Sequence, residues 1–262
     1  MTENCVVYSN NRLFYYKYGE GKKFIFLFHG FGQDHRSFEP WVERLKEEYT
    51  LISVDLFFHG LSDWIEERTL EKSDWKEILQ LIFQKENIEK FDVGAFSLGG
   101  KFALATYELF PERINKMTLV AADGVKINFW YKVATYPWIV RKLFKRIVTK
   151  PDFFFGLVSF LKSFGIVDKS LLRFAQSQMD TEEKRKRVFN SWVYFRHLQF
   201  DIQKIASIFN VVSSELVVIV GKFDKVVPLK MMKPLADGVK DKQIHVLETG
   251  HNDLIIKSIQ FL

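Results

Sequence analysis

The stretch FDVGAFSLGGKFALATYELFP, residues 91–111, decides the fold. Its first five residues form a short, mostly apolar run, and after the two glycines apolar residues recur at helical spacing. This pattern predicts a strand, a tight elbow at Ser97 and a helix. The residues two places before and two places after such an elbow must be small, and Ala95 and Gly99 meet that requirement. Ser97 is therefore expected to present an exposed hydroxyl at a helix N-terminus.

Further apolar runs alternate with helical patterns along the chain. These runs lie at 24–28, 51–55, 117–123, 215–221 and 243–248. Such continuous runs are typical of strands that are buried on both faces. A predicted hairpin at 6–18, with its turn at Asn10 and Asn11, would add an antiparallel edge. We therefore predict an α/β protein with a mostly parallel, twisted sheet and helices on both faces.

The alternation breaks in the middle of the chain. Residues 125–208 contain no convincing strand and several helical patterns rich in aromatic residues. We interpret this segment as a helical cap inserted after the sixth strand of a core that residues 1–124 and 209–262 form together. With 262 residues, the chain is long enough for one such domain and its insertion.

The predicted cap is basic. Residues 125–205 contain 16 Lys and Arg against 6 Asp and Glu, whereas the rest of the chain has an acidic excess. A helix predicted at 138–148 carries its apolar residues on one face and its cations, Arg141, Lys142, Lys145 and Arg146, on the other. Either the apolar face packs on the core and the cations are solvated, or the cations contact an anionic membrane surface or an acidic carrier protein.

Composition excludes several classes of protein. The N-terminal residues do not resemble a secretory signal, and no apolar run reaches the ~18 residues of a membrane span. A single cysteine, Cys5, rules out an internal disulfide and agrees with a cytoplasmic location. Neither a nucleic-acid-binding motif nor a pair of histidines at metal-ligand spacing occurs, so we expect no nucleic acid partner and no metal site.

Residues able to do chemistry follow the predicted strands, at the sheet edge where ligands bind in such folds. They are His29, Asp55, Ser97, Asp123, Asp224 and His251. Ser97, Asp224 and His251 have the chain order of a nucleophile, an acid and a base. A serine hydroxyl needs histidine as its base at neutral pH, and a carboxylate orients the imidazole. Asp123 stays open as an alternative acid, although Asp224 fits the order better.

Five motifs in this order resemble the α/β-hydrolase superfamily. HGFGQ (29–33) is similar to its oxyanion loop, and DLFFHGLSD (55–63) to its D-x-x-G-H-G-x-S segment. AFSLGG (95–100) resembles the nucleophile elbow, while GKFDKVVP (221–228) and GHND (250–253) resemble the acid and base loops. The resemblance covers nearly all of the chain outside the predicted cap, which is variable in the superfamily.

The resemblance implies a Ser-His-Asp hydrolase that needs no cofactor. The backbone amides of Phe31 and Leu98 would form the oxyanion hole. Two positions depart from the pattern, since Ala95 replaces the first glycine of the elbow and Phe58 replaces the glycine before His59. The first departure is tolerable, and the second could narrow the space beneath the loop.

The expected substrate is a small-molecule carboxylic ester, or a thioester, with a hydrophobic acyl group. Candidate residues for its pocket are His29, Phe96, Trp130, Phe154 and Trp192. Two alternatives stay open. A C–C bond hydrolase or a lyase could use the same triad, because fold and triad are shared. A non-catalytic receptor or scaffold could also retain the fold.

Overall fold

The computed structural model describes residues 1–127, 129–149 and 178–262. Its strands are β1 Thr2–Tyr8, β2 Asn11–Tyr18, β3 Lys23–Phe28, β4 Tyr49–Val54, β5 Phe91–Phe96, β6 Ile114–Val120, β7 Glu215–Gly221 and β8 Lys242–Leu247. These described strands form one sheet in the order β1-β2-β4-β3-β5-β6-β7-β8. The β1–β2 and β2–β4 pairs are antiparallel, and every other neighbouring pair is parallel. The predicted mostly parallel sheet is confirmed.

The antiparallel edge is the expected hairpin, but its turn lies one residue earlier than predicted. Ser9 and Asn10 form the turn, with Ser9 at a φ of 52°, and Asn11 already pairs with Tyr8 in the sheet. The side chain of Asn11 is buried, and its oxygen accepts a hydrogen bond of 2.8 Å from the amide of Ile65. The side chain of Asn11 is therefore part of the interior, and Ser9 occupies the left-handed position of the turn.

The helices among the described residues separate the strands. They are α1 Glu39–Leu45, α2 Lys72–Glu86, α3 Gly99–Leu109, α4 Phe129–Thr135, α5 Trp138–Thr149, α6 Glu182–Tyr194, α7 Ile202–Val212, α8 Leu229–Ala236 and α9 Leu254–Ser258, with short 3₁₀ helices at His35–Phe38, Pro111–Arg113 and Ile259–Phe261. Buried tryptophans tie helices together: Trp41 of α1 donates to the carbonyl of Ile255 in α9, and Trp75 of α2 donates to Thr106 in α3.

Both faces of the central strands are covered. In β3, Phe26 packs on Phe83 of α2, with ring centroids 5.7 Å apart. The next residue, Leu27, points to the opposite face because side chains alternate along a strand. On that face lies Gly94 of β5, where an added Cβ would come within 2.5 Å of the Trp41 ring in α1. Helices thus lie on both faces of the sheet, as predicted.

The described chain forms two compact units, residues 1–126 with 197–262, and residues 127–196. The first unit holds the sheet, and the second holds α4, α5 and α6. Helix α7 belongs to the first unit, because Phe209 is buried and stacks on Tyr107 of α3 with ring centroids 3.8 Å apart. The structure therefore ends the helical unit at residue 196, whereas the sequence pattern extends the predicted insertion to 208.

The helical unit has an interior of its own. Phe144 of α5 packs against Phe189 and Trp192 of α6, with ring centroids 5.4 and 5.7 Å away. Arg185 of α6 is buried and donates hydrogen bonds to the carbonyls of Val148, at 2.9 Å, and Met179, at 3.1 Å. These contacts hold one side of α5 against α6.

The predicted apolar face of α5 is divided in the structure. Val148 is buried and Val140 and Phe144 are half-buried, whereas Trp138, Ile139 and Leu143 are exposed. The side of the helix that carries Phe144 packs on α6 within the helical unit, and the predicted packing of the apolar face on the core stays a prediction. Helix α6 contacts Phe144, and Trp138, Ile139 and Leu143 stay exposed.

Candidate active site

The elbow at Ser97 is a sharp turn between β5 and α3. Ser97 has a φ of 49°, a left-handed conformation that is rare for a residue with a side chain. Its amide donates to the carbonyl of Val120 at 3.1 Å, and its own carbonyl accepts from the amide of Asp123 at 2.7 Å. The end of β6 therefore holds the strained residue in place.

Small residues beside the elbow are required by close packing. A Cβ on Gly99 would lie 1.9 Å from the carbonyl oxygen of Phe28, and one on Gly100 would lie 2.4 Å from that of Asp123. Ala95, by contrast, is accommodated as a buried residue of β5. Alanine in place of the first glycine thus leaves the elbow intact.

Ser97, His251 and Asp224 lie in one hydrogen-bonded chain. His251 Nε2 is 3.1 Å from Ser97 Oγ, and His251 Nδ1 is 2.7 Å from Asp224 Oδ2. An ionised carboxylate only accepts hydrogen bonds, so Nδ1 carries the ring proton and Nε2 accepts from the serine hydroxyl. The three residues predicted from separate motifs are brought together with the polarity that a nucleophile and its base need.

Asp224 is held as a charged acceptor. Its side chain is buried; Oδ1 accepts from the amides of Val226, at 2.7 Å, and Val227, at 3.0 Å. Burial is the largest influence on its pKa and would raise it. The hydrogen bond and charge of His251, together with the two amides, outweigh burial, and the pKa of Asp224 lies below its usual value.

Asp123, the alternative acid, has other partners. Its Oδ1 accepts from the amide of Gly124 at 2.8 Å, and its Oδ2 lies 3.6 Å from Nζ of the buried Lys101. The side chain is 36% exposed. The histidine contacts Asp224 instead, so the geometry favours Asp224 as the acid.

The loop after β3 is a tight turn at residues 30–33. The amide of Gln33 donates to the carbonyl of Gly30, the Gln33 side chain accepts from the amide of Gly30, and Gly32 has a φ of 74°. A positive φ at the third residue is typical of a type II turn and favours glycine there. The turn fixes the backbone on both sides of Phe31, one of the two predicted oxyanion donors.

His29 supports this loop and is not open to solvent. It is fully buried, Nδ1 donates to the carbonyl of Gly30 at 2.7 Å, and Nε2 accepts from the amide of Leu56 at 3.0 Å. Burial lowers the pKa of His29 to about 4, so the ring is neutral at physiological pH. His29 thus joins the loops that follow β3 and β4.

His35 and Asp55 form a pair that the sequence did not predict. Asp55 is buried and accepts from the amide and from Nδ1 of His35, at 2.8 and 2.9 Å, and from the amide of Leu61 at 3.2 Å. The ring of His35 stacks on Tyr16. The position of Asp55 at the end of a strand was a usable signal, but nothing in the sequence links it to His35.

The other candidate pocket residues are Phe96, Trp130, Trp192 and Phe154. Phe96 is buried, and its ring packs on His251 with centroids 4.8 Å apart. Trp130 lies in α4, and the half-exposed Trp192 in α6 packs near Tyr131. Phe154 falls outside the described residues. Their assignment to a substrate pocket stays a prediction.

Phe58, the second departure from the family pattern, adopts a left-handed backbone conformation. Its φ is 67°, in the region that glycine enters without strain. Its amide donates to the carbonyl of Ser62 at 3.2 Å, which closes the turn. The turn therefore forms without glycine.

No group of three or more His, Cys, Asp or Glu side chains in residues 1–127, 129–149 and 178–262 could hold a metal ion. Within those same ranges, no helix has the length and apolar character needed to span a bilayer.

The chain matches the alpha/beta hydrolase fold family over residues 23–258. Among curated proteins, it is 32% identical over 107 residues to the pimeloyl-[acyl-carrier protein] methyl ester esterase of Legionella pneumophila, a match that covers 41% of each chain. The chain thus spans less than half the length of the curated relatives that it matches.

Solved structures share the fold over nearly the whole chain. The thermophilic esterase of Thermogutta terrifontis superposes with a TM-score of 0.72 at 16% identity, covering 100% of this chain and 95% of the esterase. A meta-cleavage product hydrolase, CumD, superposes with a TM-score of 0.64 at 21% identity, covering 98% and 94%. At these identities the likeness shows the architecture alone.

Proposed function

Because this chain belongs to the α/β-hydrolase fold family, we propose that it is a serine hydrolase that cleaves a carboxylic ester through Ser97, His251 and Asp224. The observation that carries the proposal is the unbroken hydrogen-bonded chain from Ser97 Oγ through the His251 ring to Asp224. Such a chain is the recurring solution for activating a hydroxyl on unrelated folds.

The proposed reaction has two halves. Ser97 Oγ attacks the ester carbonyl while His251 Nε2 takes its proton, and the same nitrogen then protonates the leaving alcohol. The acyl group is now bonded to Ser97. Water attacks this acyl-enzyme as His251 Nε2 removes its proton. The bond between the acyl carbon and Ser97 Oγ then breaks, the proton passes from Nε2 to Oγ, and the carboxylic acid leaves. Throughout, Asp224 keeps the proton on Nδ1 and stabilises the charged imidazole.

When Ser97 attacks, negative charge develops on the carbonyl oxygen of the ester, and hydrogen-bond donors must stabilise it. We assign the backbone amides of Phe31 and Leu98 to this role. Leu98 follows the strained Ser97 at the N-terminus of α3, where amides point out of the helix. In the described ranges, neither amide has a hydrogen-bond acceptor of its own. Removing one such donor typically costs about 2.7–4 kcal/mol in the barrier.

The proposed substrate is a small ester, or thioester, with a hydrophobic acyl group. The name of the Legionella relative adds one specific possibility, an ester whose acyl group is carried on an acyl carrier protein. A carrier of this kind would be an acidic protein partner, as the basic middle of the sequence suggested. The role of residues 125–208 as a cap and the cytoplasmic location stay predictions.

The test is the hydrolysis of p-nitrophenyl esters of increasing acyl length. The unaltered protein should release p-nitrophenol in a burst from the butyrate ester, and Ser97→Ala should abolish the burst. Ser207→Ala is the matched control, because Ser207 lies on α7 and its hydroxyl only bonds the carbonyl of Gln203. Equal rates in Ser97→Ala and the unaltered protein would contradict the proposal.

The alternatives make different predictions in the same experiments. A C–C bond hydrolase with the same triad should cleave a vinylogous diketone faster than any ester of the panel. A non-catalytic receptor should hydrolyse neither the diketone nor the esters. It should also leave Ser97 unlabelled by a fluorophosphonate probe, which we expect to modify Ser97 and not Ser207.

A further inference from the structure

Helix α5 exposes apolar and basic side chains together. Trp138, Ile139 and Leu143 are 60%, 70% and 47% exposed, although side chains of this kind are usually buried. Lys142 and Arg146 are exposed as well. At 3.6 residues per turn these five side chains fall within an arc of roughly 140° on one side of the helix. We call this arc the exposed face of α5.

The opposite side of α5 is already anchored. Phe144 packs on α6, Val148 is buried, and Arg185 donates to the carbonyl of Val148. The helix therefore has a packing partner on its inner side. The exposed face takes no part in that contact, and its large side chains can be changed without removing the interior of the helical unit.

The positive charge of the exposed face is not balanced within the helix. No aspartate or glutamate occurs from Val125 to Pro151. Among the described residues, no carboxylate pairs with Lys142, Lys145 or Arg146. Nζ of Lys142 instead lies 4.1 Å above the ring of Trp138.

Helix α6 offers a contrast in the same unit. Its Lys184 lies 3.0 Å from Asp180, and its Lys186 lies 2.6 Å from Glu182. These cations are compensated by carboxylates of the same segment. The lack of a carboxylate partner for Lys142 and Arg146 therefore does not follow simply from the basic composition of this part of the chain.

We propose that the exposed face of α5 docks on an anionic lipid surface. Phosphate groups of the lipid would contact Lys142 and Arg146, while Trp138, Ile139 and Leu143 enter the boundary between headgroups and acyl chains. A 12-residue helix with aromatic and basic side chains together suits a position in the plane of that boundary. An acidic protein surface would satisfy the cations but would leave the protruding apolar side chains against carboxylates, so the lipid surface fits better.

The first test is sedimentation of the full chain with vesicles. Binding should be strong to phosphatidylcholine vesicles that contain about a third phosphatidylglycerol, weak to pure phosphatidylcholine, and reduced by salt. The double variant Lys142→Gln/Arg146→Gln should bind about 30-fold more weakly, since each basic side chain near an anionic surface contributes roughly fivefold. Lys184→Gln/Lys186→Gln removes the same charge from α6 and should bind like the unaltered protein.

A second variant separates lipid insertion from simple charge attraction. Trp138→Ser/Ile139→Ser leaves every cation in place and should still weaken vesicle binding by about tenfold or more. Circular dichroism and the unfolding midpoint check that each variant is folded.

Three results would overturn the proposal. They are no binding to the anionic vesicles, equal loss of binding in the α5 and α6 double variants, and binding of the exposed face to a purified acidic acyl carrier protein but not to vesicles. These experiments measure vesicle binding and not catalysis. A failure of the docking proposal can therefore be distinguished from a failure of the proposed hydrolase activity.

Discussion

Asp224 and Asp123 both follow strands, but their surroundings differ. Asp224 is buried, accepts two backbone amides and bonds His251. Asp123 is partly exposed and lies beside the buried Lys101. A carboxylate that orients an imidazole must itself be oriented, and the fixed hydrogen bonds of Asp224 provide this.

The two carboxylates can be compared by the same substitution. Asp224→Asn should lower kcat for p-nitrophenyl butyrate by about 10³–10⁴-fold, because the amide no longer selects the ring tautomer. Asp123→Asn, the matched control, should change kcat by less than about tenfold. A larger loss in Asp123→Asn than in Asp224→Asn would reverse the assignment of the acid.

Gly99 permits the approach of α3 to β3. Gly99→Ala should lower the free energy of unfolding by about 1–3 kcal/mol or prevent folding, since its Cβ would lie 1.9 Å from the carbonyl oxygen of Phe28. Gly250→Ala is the control, because a Cβ there meets nothing within 4 Å. Urea denaturation of both variants measures the difference, and similar midpoints would mean that the elbow has more room than the structure shows.

At the scale of elements, Asp55 connects two loops of the sheet edge. It accepts from the amide and ring of His35 in the loop after β3, and from the amide of Leu61 in the loop after β4. A Cβ on Gly60 would lie 1.8 Å from Asp55 Oδ2, so the second loop closes tightly over the carboxylate. Asp55 therefore positions the segment that carries Phe31.

This role predicts a combined loss of stability and activity. Asp55→Asn should cost about 1–3 kcal/mol of unfolding free energy, because its NH₂ group cannot accept from the amide of Leu61. It should also lower kcat and speed amide exchange in residues 30–36. Asp63→Asn, at an exposed ion pair with Arg12, should change each quantity little. Unchanged exchange in Asp55→Asn would show that Asp55 does not hold the loop.

At the scale of the whole molecule, His29 makes the fold sensitive to acid. Its pKa falls from 6.5 to about 4 on folding, because burial disfavours the charged ring. The unfolded chain therefore binds more protons than the folded one between these values. Stability from His29 is complete above pH 6.5 and is lost as the pH falls toward 4.

Denaturation in urea across this range checks the effect. We expect the free energy of unfolding to fall by up to roughly 3 kcal/mol from pH 6.5 to 4. In His29→Gln this slope should be smaller, whatever the stability of the variant at neutral pH. An identical slope in both proteins would mean that other groups cause the acid sensitivity.

Local patterns in the sequence were enough to predict the sheet and to single out the three residues, Ser97, His251 and Asp224, that the structure joins by hydrogen bonds. The continuous apolar run at 24–28 predicted a strand that is buried on both faces. The small residues around Ser97 predicted the elbow. What the sequence could not show depends on distant contacts. The turn at Ser9 follows from the bond between Asn11 and Ile65, and the place of α7 follows from the stacking of Phe209 on Tyr107.

The division of α5 could not be predicted for a similar reason. Its sequence shows an apolar arc, but the width that α6 covers is a property of the packed unit. Likewise, no pattern in the sequence around His35 predicts that Asp55, 20 residues away, is its hydrogen-bond partner. Periodicity identifies which side chains are apolar or polar, and only tertiary packing decides which partner each one meets.

The distance along the chain between hydroxyl and imidazole has a consequence for synthesis. A ribosome delivers Ser97 a full 154 residues before His251. Until β7 and β8 have joined β6, the nascent elbow has no proton acceptor at hand. A hydrolase built this way would be inactive until His251 has been translated and has folded against the elbow, and so could not attack esters before that point.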